Sequence, residues 1–226
     1  GLRALAVVLV VVYHLFPGWV LHSGFVGVDV FFVISGFLIT SLLLREHDRA
    51  GRIALGAFWA RRARRLLPAL AVVVTVSASV AWLIGGDVLL GLGRQVLGAI
   101  TFSSNWASLS AGASYFAGTQ PELLRNLWSL AVEEQFYVLW PLLLLLAAWI
   151  AVKYFRGSRL RAAAIAIGIV SVASFAFCVW FTATNPAPAY FVTFGRMWQF
   201  GVGAVIALVP PVYRIVSTLL ARRAAA

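Results

Sequence analysis

Apolar residues run through the chain in stretches of about twenty, and short segments between them carry most of the charges. About 20 apolar residues are what an α-helix needs to cross the hydrocarbon core of a bilayer. The pattern predicts six crossings and a further stretch, 95–103, that is too short to cross and is expected to be interfacial or re-entrant. The predicted fold is an all-α polytopic bundle of transmembrane helices with crossings at 4–21, 25–44, 66–84, 127–150, 162–182 and 189–209.

Composition supports this assignment. The chain is 62% hydrophobic and 11% charged, with a mean hydropathy of +0.96, far from the average of soluble domains. We expect residues 1–226 to form one transmembrane domain, because the loops leave no room for a soluble one. The first residue is not Met and the chain stops soon after a crossing, so we expect an N-terminal part whose later crossings are missing.

The net charge of +11 would suggest nucleic-acid binding in a soluble protein. Here the basic residues cluster between apolar runs, so membrane topology explains them better and we expect no nucleic-acid partner. Segments 45–65 and 153–161 and the C-terminal end are rich in arginine or lysine, whereas 85–126 is nearly neutral. The positive-inside rule then predicts a multi-pass membrane protein with a cytoplasmic N-terminus.

Arg3 and His14 are separated by ten residues of an apolar run. Eleven helical steps of about 100° return to about 20°, so both side chains lie on one helix face, about 16 Å apart along the axis. A histidine this deep in a membrane helix is costly, and the pair is therefore a candidate functional site.

The predicted topology places four ionisable residues in one layer of the outer half of the membrane: His14, Asp29, Glu133 and Arg196. His14 and Glu133 each lie about 10 Å from the outer end of their helices. Separate charges at this depth would each cost several kcal/mol, so we expect them to pair around a polar cavity.

One face of the fourth crossing carries Ser129, Glu133, Tyr137 and Trp140, at helical spacing. Glu134 projects about 100° away from this face and is the weaker candidate. The structural alternative is that one of the two glutamates only pairs with Arg196 and locks two helices together.

Four arginines, Arg61, Arg62, Arg64 and Arg65, precede the third predicted crossing. Topology and lipid headgroups explain some of these charges. The density and the bidentate geometry of guanidinium groups also suit a polyphosphate ligand, which a helix N-terminus would help to bind. Further along the second crossing, Ser35-Gly36 predicts a close helix-packing point, or alternatively a hydroxyl that faces the cavity.

A neutral imidazole in a partly dry cavity, assisted by a carboxylate, can accept a proton from a hydroxyl group. A phosphate site on the opposite membrane face would suit a donor such as a nucleotide thioester. Group transfer across the membrane is therefore our hypothesis. No metal-ligand spacing is present in the sequence, and we expect neither a metal nor a permanently bound cofactor.

At these residues the chain resembles the membrane acyltransferase family 3, the bacterial O-antigen and peptidoglycan type of O-acetyltransferase. Five motifs in order carry the resemblance. They are Arg3 with His14, the segment FFVISGFLIT (31–40), RRARRLLP (61–68), WSLAVEEQFY (128–137) and YFVTFGRMWQFGVG (190–203).

The resemblance implies acyl-CoA, usually acetyl-CoA, as co-substrate and a hydroxyl of a cell-envelope carbohydrate as acceptor. It implies His14 as the catalytic residue with Arg3 as its motif partner, and it matches Arg62 and Arg65 to the arginine motif. The family commonly has Glu where this chain has Gln199, which puts an acid role there in doubt.

From these observations we predict a membrane O-acyltransferase in which His14 acts as general base or as a transient acyl carrier. Glu133 would orient or charge-balance His14, the arginine cluster with Arg3 would hold CoA phosphates, and the remaining polar residues would bind substrate: Asp29, Ser129, Tyr137 and Arg196. Membrane lipids are the other expected partners. The alternatives are a transporter or flippase of an envelope intermediate, and a structural scaffold subunit.

Overall fold

The computed structural model describes residues 2–16, 26–112, 122–154 and 159–209, without the side chains of Arg3, His14 and Arg159. The regular structure of these residues is helical and includes no strand, which confirms the predicted all-α class. The α-helices are α1 Leu2–Leu15, α2 Val26–Ala50, α3 Leu55–Ile84, α4 Leu92–Ile100, α5 Ser104–Ser110, α6 Leu127–Tyr154, α7 Arg159–Thr184, α8 Pro186–Ala189 and α9 Met197–Leu208. Two 3-10 turns, Gly86–Leu89 and Thr193–Arg196, complete them.

Four of these helices, α2, α3, α6 and α7, are long and apolar enough to cross a membrane. Their 25 to 30 residues correspond to about 37 to 45 Å at 1.5 Å per residue, more than the roughly 30 Å hydrocarbon core. They match four of the six predicted crossings. For α2, α6 and α7, most of the observed ends lie within a few residues of the predicted ends. This is a membrane protein.

The first and last predicted crossings are not confirmed. Helix α1 has 14 residues, about 21 Å, and the continuation to residue 21 lies outside the described residues. In place of one helix over 189–209, the chain forms α8, a 3-10 turn and then the 12-residue α9. Gly195, within the 3-10 turn, weakens helix formation just before α9.

Helix α3 begins at Leu55, eleven residues before the predicted start of the third crossing, and only Gly51–Ala54 separate it from α2. Gly51 ends α2 with a φ of 66°, a left-handed conformation that glycine adopts without steric cost, and its N–H donates to His47 O at 2.8 Å. The arginine cluster therefore lies inside a helix and not before one.

The described residues form two compact units. In the first, which contains α1, α2 and α9, α2 packs against both other helices. A Cβ on Gly36 would collide with the backbone of Phe200, and one on Gly203 would collide with the backbone of Val33. The two helix backbones are thus in direct contact, which confirms Gly36 as a close packing point.

The second unit contains α3, α4, α5, the first half of α6 and residues 176–196. One apolar cluster of this unit consists of Leu70, Val74, Ala99 and Leu124. The stretch predicted to be interfacial or re-entrant forms most of α4, and its position relative to a membrane stays a prediction. Large apolar side chains remain exposed along α3 and α7, among them Trp82 and Val172, as expected for surfaces that face lipid.

Candidate active site

Helix α6 carries a buried carboxylate and a tyrosine one turn apart. Glu133 is 5% exposed and Tyr137 is 1% exposed. The Tyr137 hydroxyl donates a hydrogen bond to Glu133 Oε1. The predicted common face of these two residues is confirmed, and Trp140, also on that face, is fully buried. The hydroxyl thus satisfies one acceptor of a buried carboxyl group, which lowers the cost of burying it.

Arg62 of α3 joins this pair to the neighbouring glutamate, so the prediction that the arginine cluster and the α6 glutamates lie towards opposite faces of the membrane is wrong. Its Nη2 donates to Glu134 Oε1 at 3.1 Å, and its guanidinium carbon lies 3.2 Å from the centre of the Tyr137 ring. The indole N–H of Trp59 donates to the backbone oxygen of Tyr137 at 3.1 Å, which fixes α3 against α6. The result is a continuous assembly of two carboxylates, one phenol and one guanidinium, which we call the α3–α6 polar assembly: Arg62, Glu133, Glu134 and Tyr137.

A cavity of about 500 Å³ lies beside this assembly, within the second unit. Arg62, Glu134 and Gln135 contribute its polar wall, whereas Leu66 and Val138 are part of a mostly apolar lining. Arg62 Nε is buried and has no hydrogen-bond acceptor among the described residues. A cavity of this size with a few convergent polar groups is typical of a small-molecule site.

The other arginines of the cluster differ from Arg62. Arg61, Arg64 and Arg65 are exposed on α3, and the Nε of Arg64 donates to the backbone of its own helix at 3.3 Å. Because α3 starts at Leu55, these residues lie in its second and third turns. The expectation that a helix N-terminus assists anion binding by the cluster is therefore wrong, since the free N–H groups belong to the first turn.

Arg196 lies at the end of the 3-10 turn Thr193–Arg196, not inside a continuous crossing as predicted. It is 8% exposed, its Nε donates to Tyr190 O at 3.2 Å, and its guanidinium lies 3.9 Å from the Tyr190 ring centre. Trp128 packs edge-on against Tyr190 with a centroid distance of 5.0 Å. The depth of Arg196 was counted from the start of a continuous helix, which is not observed, so its depth in the membrane stays a prediction, whereas its burial within the protein is observed.

In the first unit, Asp29 lies in the first turn of α2, where the helix dipole favours a negative charge. Gln199 of α9 donates from Nε2 to Asp29 Oδ1 at 2.8 Å. A glutamate at position 199 would bring a second carboxyl group to Asp29, whereas the amide brings a donor. The amide of Gln199 is therefore compatible with the carboxyl group of Asp29 at this position.

The remaining predicted residues are placed as follows. Arg3 and His14 lie on α1, and their side chains are outside the described part of the structure. Ser129 is half-buried and donates to Asn126 O at 3.2 Å. His14 and Asp29 belong to the first unit and Glu133 and Arg196 to the second, so their common polar layer stays a prediction.

Sequence reasoning missed two features of the second unit. It ranked Glu134 below Glu133 and did not pair it with Arg62, which is 72 residues away in the chain. It also gave no role to Gln135, Asn105 or Thr193, which hydrogen-bond to one another. A polar residue beside Glu133 and Glu134 in an otherwise apolar helix was the available signal for Gln135.

Comparison with known proteins decides the family. A family model described as an acyltransferase domain matches residues 1–226, the whole chain. The chain belongs to this acyltransferase family. It is 37% identical over 222 residues to the peptidoglycan O-acetyltransferase OatA of Listeria monocytogenes, and 35% identical over 215 residues to the O-acetyltransferase OatA of Staphylococcus aureus strain NCTC 8325.

Both alignments cover 95% of the chain but only 34% and 35% of the two relatives. The chain thus spans about a third of the length of the curated relatives it matches. No solved structure matches the chain at a significant level.

Proposed function

We propose that the protein transfers an acyl group, most simply acetyl, from acyl-CoA to a hydroxyl of a cell-envelope carbohydrate. Family membership and two relatives named as O-acetyltransferases support the reaction class. The observation that carries the proposal is the α3–α6 polar assembly, in which Arg62 of the arginine cluster joins the buried carboxylates of α6 beside a cavity.

In the proposed reaction, His14 accepts the proton of the acceptor hydroxyl through its neutral imidazole. The hydroxyl oxygen attacks the thioester carbonyl carbon and forms the new ester bond. The carbon–sulfur bond breaks, and the leaving CoA thiolate takes the proton from the imidazolium. Glu133 assists by orienting His14 or balancing its charge, and Arg3 is the motif partner of His14. Acid–base catalysis of this kind raises a reaction rate roughly 100- to 10,000-fold. In an alternative path, His14 carries the acyl group transiently.

The arginine cluster divides into two proposed roles. Arg61, Arg64 and Arg65 are exposed and suit the phosphates of CoA, because guanidinium groups bind phosphate bidentately. Arg62 faces the cavity, where its Nε offers a hydrogen bond to a carbonyl oxygen of the pantetheine arm or the acyl group. The apolar walls around Leu66 and Val138 suit the methylene and acyl parts of that arm.

We propose that the donor enters from the cytoplasmic side of the bacterial inner membrane and the acceptor from the outer side, and that both reach the α3–α6 polar assembly. The arginine-rich segments support a cytoplasmic N-terminus through the positive-inside rule. Asp29, Ser129, Tyr137 and Arg196 are the residues proposed to bind substrate or to balance charge around it.

The test is transfer of labelled acetyl groups from acetyl-CoA to cell-wall carbohydrate by the full-length protein in detergent or liposomes. His14→Ala is expected to lower turnover at least about a hundredfold, whereas His47→Ala, at the end of α2, is expected to leave turnover unchanged. Equal turnover in the two variants contradicts the role of His14. Carbohydrate movement across liposomes without loss of the thioester would favour a transporter instead.

Donor binding is tested separately through the KM for acetyl-CoA. Changing Arg65 to Ala removes one charged phosphate contact, worth roughly 1.5–3 kcal/mol, so KM should rise about tenfold to a hundredfold. Arg52→Ala is the matched control, since Arg52 is exposed in the same basic segment but lies outside α3. An identical KM for both variants contradicts phosphate binding by Arg65.

A further inference from the structure

Three side chains of the second unit form a closed ring of hydrogen bonds. Gln135 of α6 donates to Asn105 of α5 at 2.9 Å, and Asn105 donates to Thr193 at 2.9 Å. Thr193 donates back to Gln135 at 2.5 Å, which closes the ring. The donors all run in one direction round the ring, an arrangement in which each bond polarises the next.

The ring is tied to the backbone at two further points. The second N–H of Gln135 donates to Phe102 O at 2.7 Å, and the second N–H of Asn105 donates to Phe191 O at 3.0 Å. Both amide groups therefore use all their donors, and the oxygen of Gln135 also accepts from the indole of Trp106 at 3.3 Å. A network satisfied to this degree fixes one arrangement of the three segments that it joins.

One end of the ring lies at the cavity wall. Gln135 and Phe102 both line the cavity, and Gln135 directly follows Glu134. Phe102 has a φ of 52°, in the left-handed region that costs a non-glycine residue about 1–3 kcal/mol. Such a conformation persists where the surroundings determine it, and the hydrogen bond from Gln135 to Phe102 O supplies part of that constraint.

The other end of the ring lies in the 3-10 turn that contains Arg196. Thr193 begins the 3-10 turn that Arg196 ends, and Phe191 adjoins the Tyr190 ring on which Arg196 stacks. Asn105 is fully buried and Thr193 is 6% exposed, so the hydrogen bond between them is shielded from water. The segment with Arg196 is thus attached to α5 and α6 through polar contacts that require one register.

We infer that Gln135, Asn105 and Thr193 are positioning residues, which hold Arg196 and the cavity wall in the arrangement needed for acyl transfer. The role of these residues in acyl transfer rests on the proposed function, whereas the hydrogen-bonded ring is observed independently of it. None of the three residues needs to contact substrate, because they act through Arg196, Phe102 and Glu134.

The test is Thr193→Val, which keeps the shape of the side chain and removes both hydrogen bonds of its hydroxyl. We expect kcat to fall about tenfold to a hundredfold while the KM for acetyl-CoA changes less than about threefold. Thr193→Ser retains the hydroxyl and should recover most of kcat. The matched control is Thr184→Val, since Thr184 is exposed and its hydroxyl bonds to its own helix and to the next residue, Asn185.

Hydrogen exchange of the same variants separates this inference from the proposed function. Thr193→Val should speed amide exchange in residues 190–196 at least severalfold, and Thr184→Val should not. Faster exchange with unchanged kcat overturns the positioning role. A uniform fall in kcat and unfolding temperature that Thr193→Ser does not rescue also overturns it, because the ring would then be structural only. If the wild-type protein transfers no acyl group, the proposed function fails. If amide exchange is unchanged in Thr193→Val, the ring does not hold residues 190–196 in place, and the positioning role fails whatever the activity.

Discussion

The two compact units hold their helices together by different means. In the first, α2 and α9 meet at Gly36 and Gly203, where backbone touches backbone, and a hydrogen bond from Gln199 to Asp29 joins the same two helices. In the second, α3, α5 and α6 meet through hydrogen bonds and an ion pair between side chains. The first contact depends on the absence of a side chain, whereas the second depends on particular polar atoms. The α3–α6 polar assembly is part of this second, polar type of contact.

The largest expected effect comes from breaking the backbone contact. Gly36→Ala puts a methyl group onto the backbone of Phe200, which no rotamer change can relieve, so we expect destabilisation of about 3 kcal/mol. Thermal unfolding in detergent measures it. Gly168→Ala is the control, because Gly168 of α7 has open space around its missing Cβ and should gain about 0.5–1 kcal/mol. Equal unfolding temperatures for the two variants would contradict the direct backbone contact.

A smaller effect is expected from breaking the ion pair. Arg62→Ala leaves Glu134, whose side chain is 14% exposed, without its cationic partner, and we expect destabilisation of about 2 kcal/mol. Arg64→Ala removes an exposed arginine from the same helix and should change the unfolding free energy by less than about 0.5 kcal/mol. If the two variants unfold alike, Arg62 does not stabilise the contact between α3 and α6.

The smallest effect on stability is expected from a single hydroxyl. Tyr137→Phe keeps the ring under Arg62 but removes the hydrogen bond to Glu133, at a cost of about 1–2 kcal/mol. Tyr154→Phe makes the same change at an exposed position of α6 and should be neutral. A neutral Tyr137→Phe would mean that Glu133 is stabilised by other groups.

Much of the fold followed from the sequence, because long apolar runs are sufficient to predict α2, α6 and α7. The start of α3 was misplaced because arginines suggested a loop, whereas long basic side chains extend from a helix to solvent at little cost. The break before α9 had a weak signal in Gly195, which the hydrophobicity of the segment outweighed.

The candidate site was predictable only in part. Helical spacing placed Glu133 and Tyr137 on one face, since that is a property of one helix. The pair Arg62–Glu134 and the ring through Asn105 join residues far apart in the chain, and periodicity in one segment contains no information about such contacts.

The central claim is that the α3–α6 polar assembly serves acyl transfer and not only helix packing. Glu133→Gln tests it most directly, because the amide oxygen can still accept the Tyr137 hydrogen bond while the negative charge is lost. The measurement is single-turnover transfer from saturating labelled acetyl-CoA, with the exposed Asp87→Asn as control. We predict a rate at least about a hundredfold lower for Glu133→Gln at an unfolding temperature close to that of the wild type. A wild-type transfer rate in Glu133→Gln would contradict the claim.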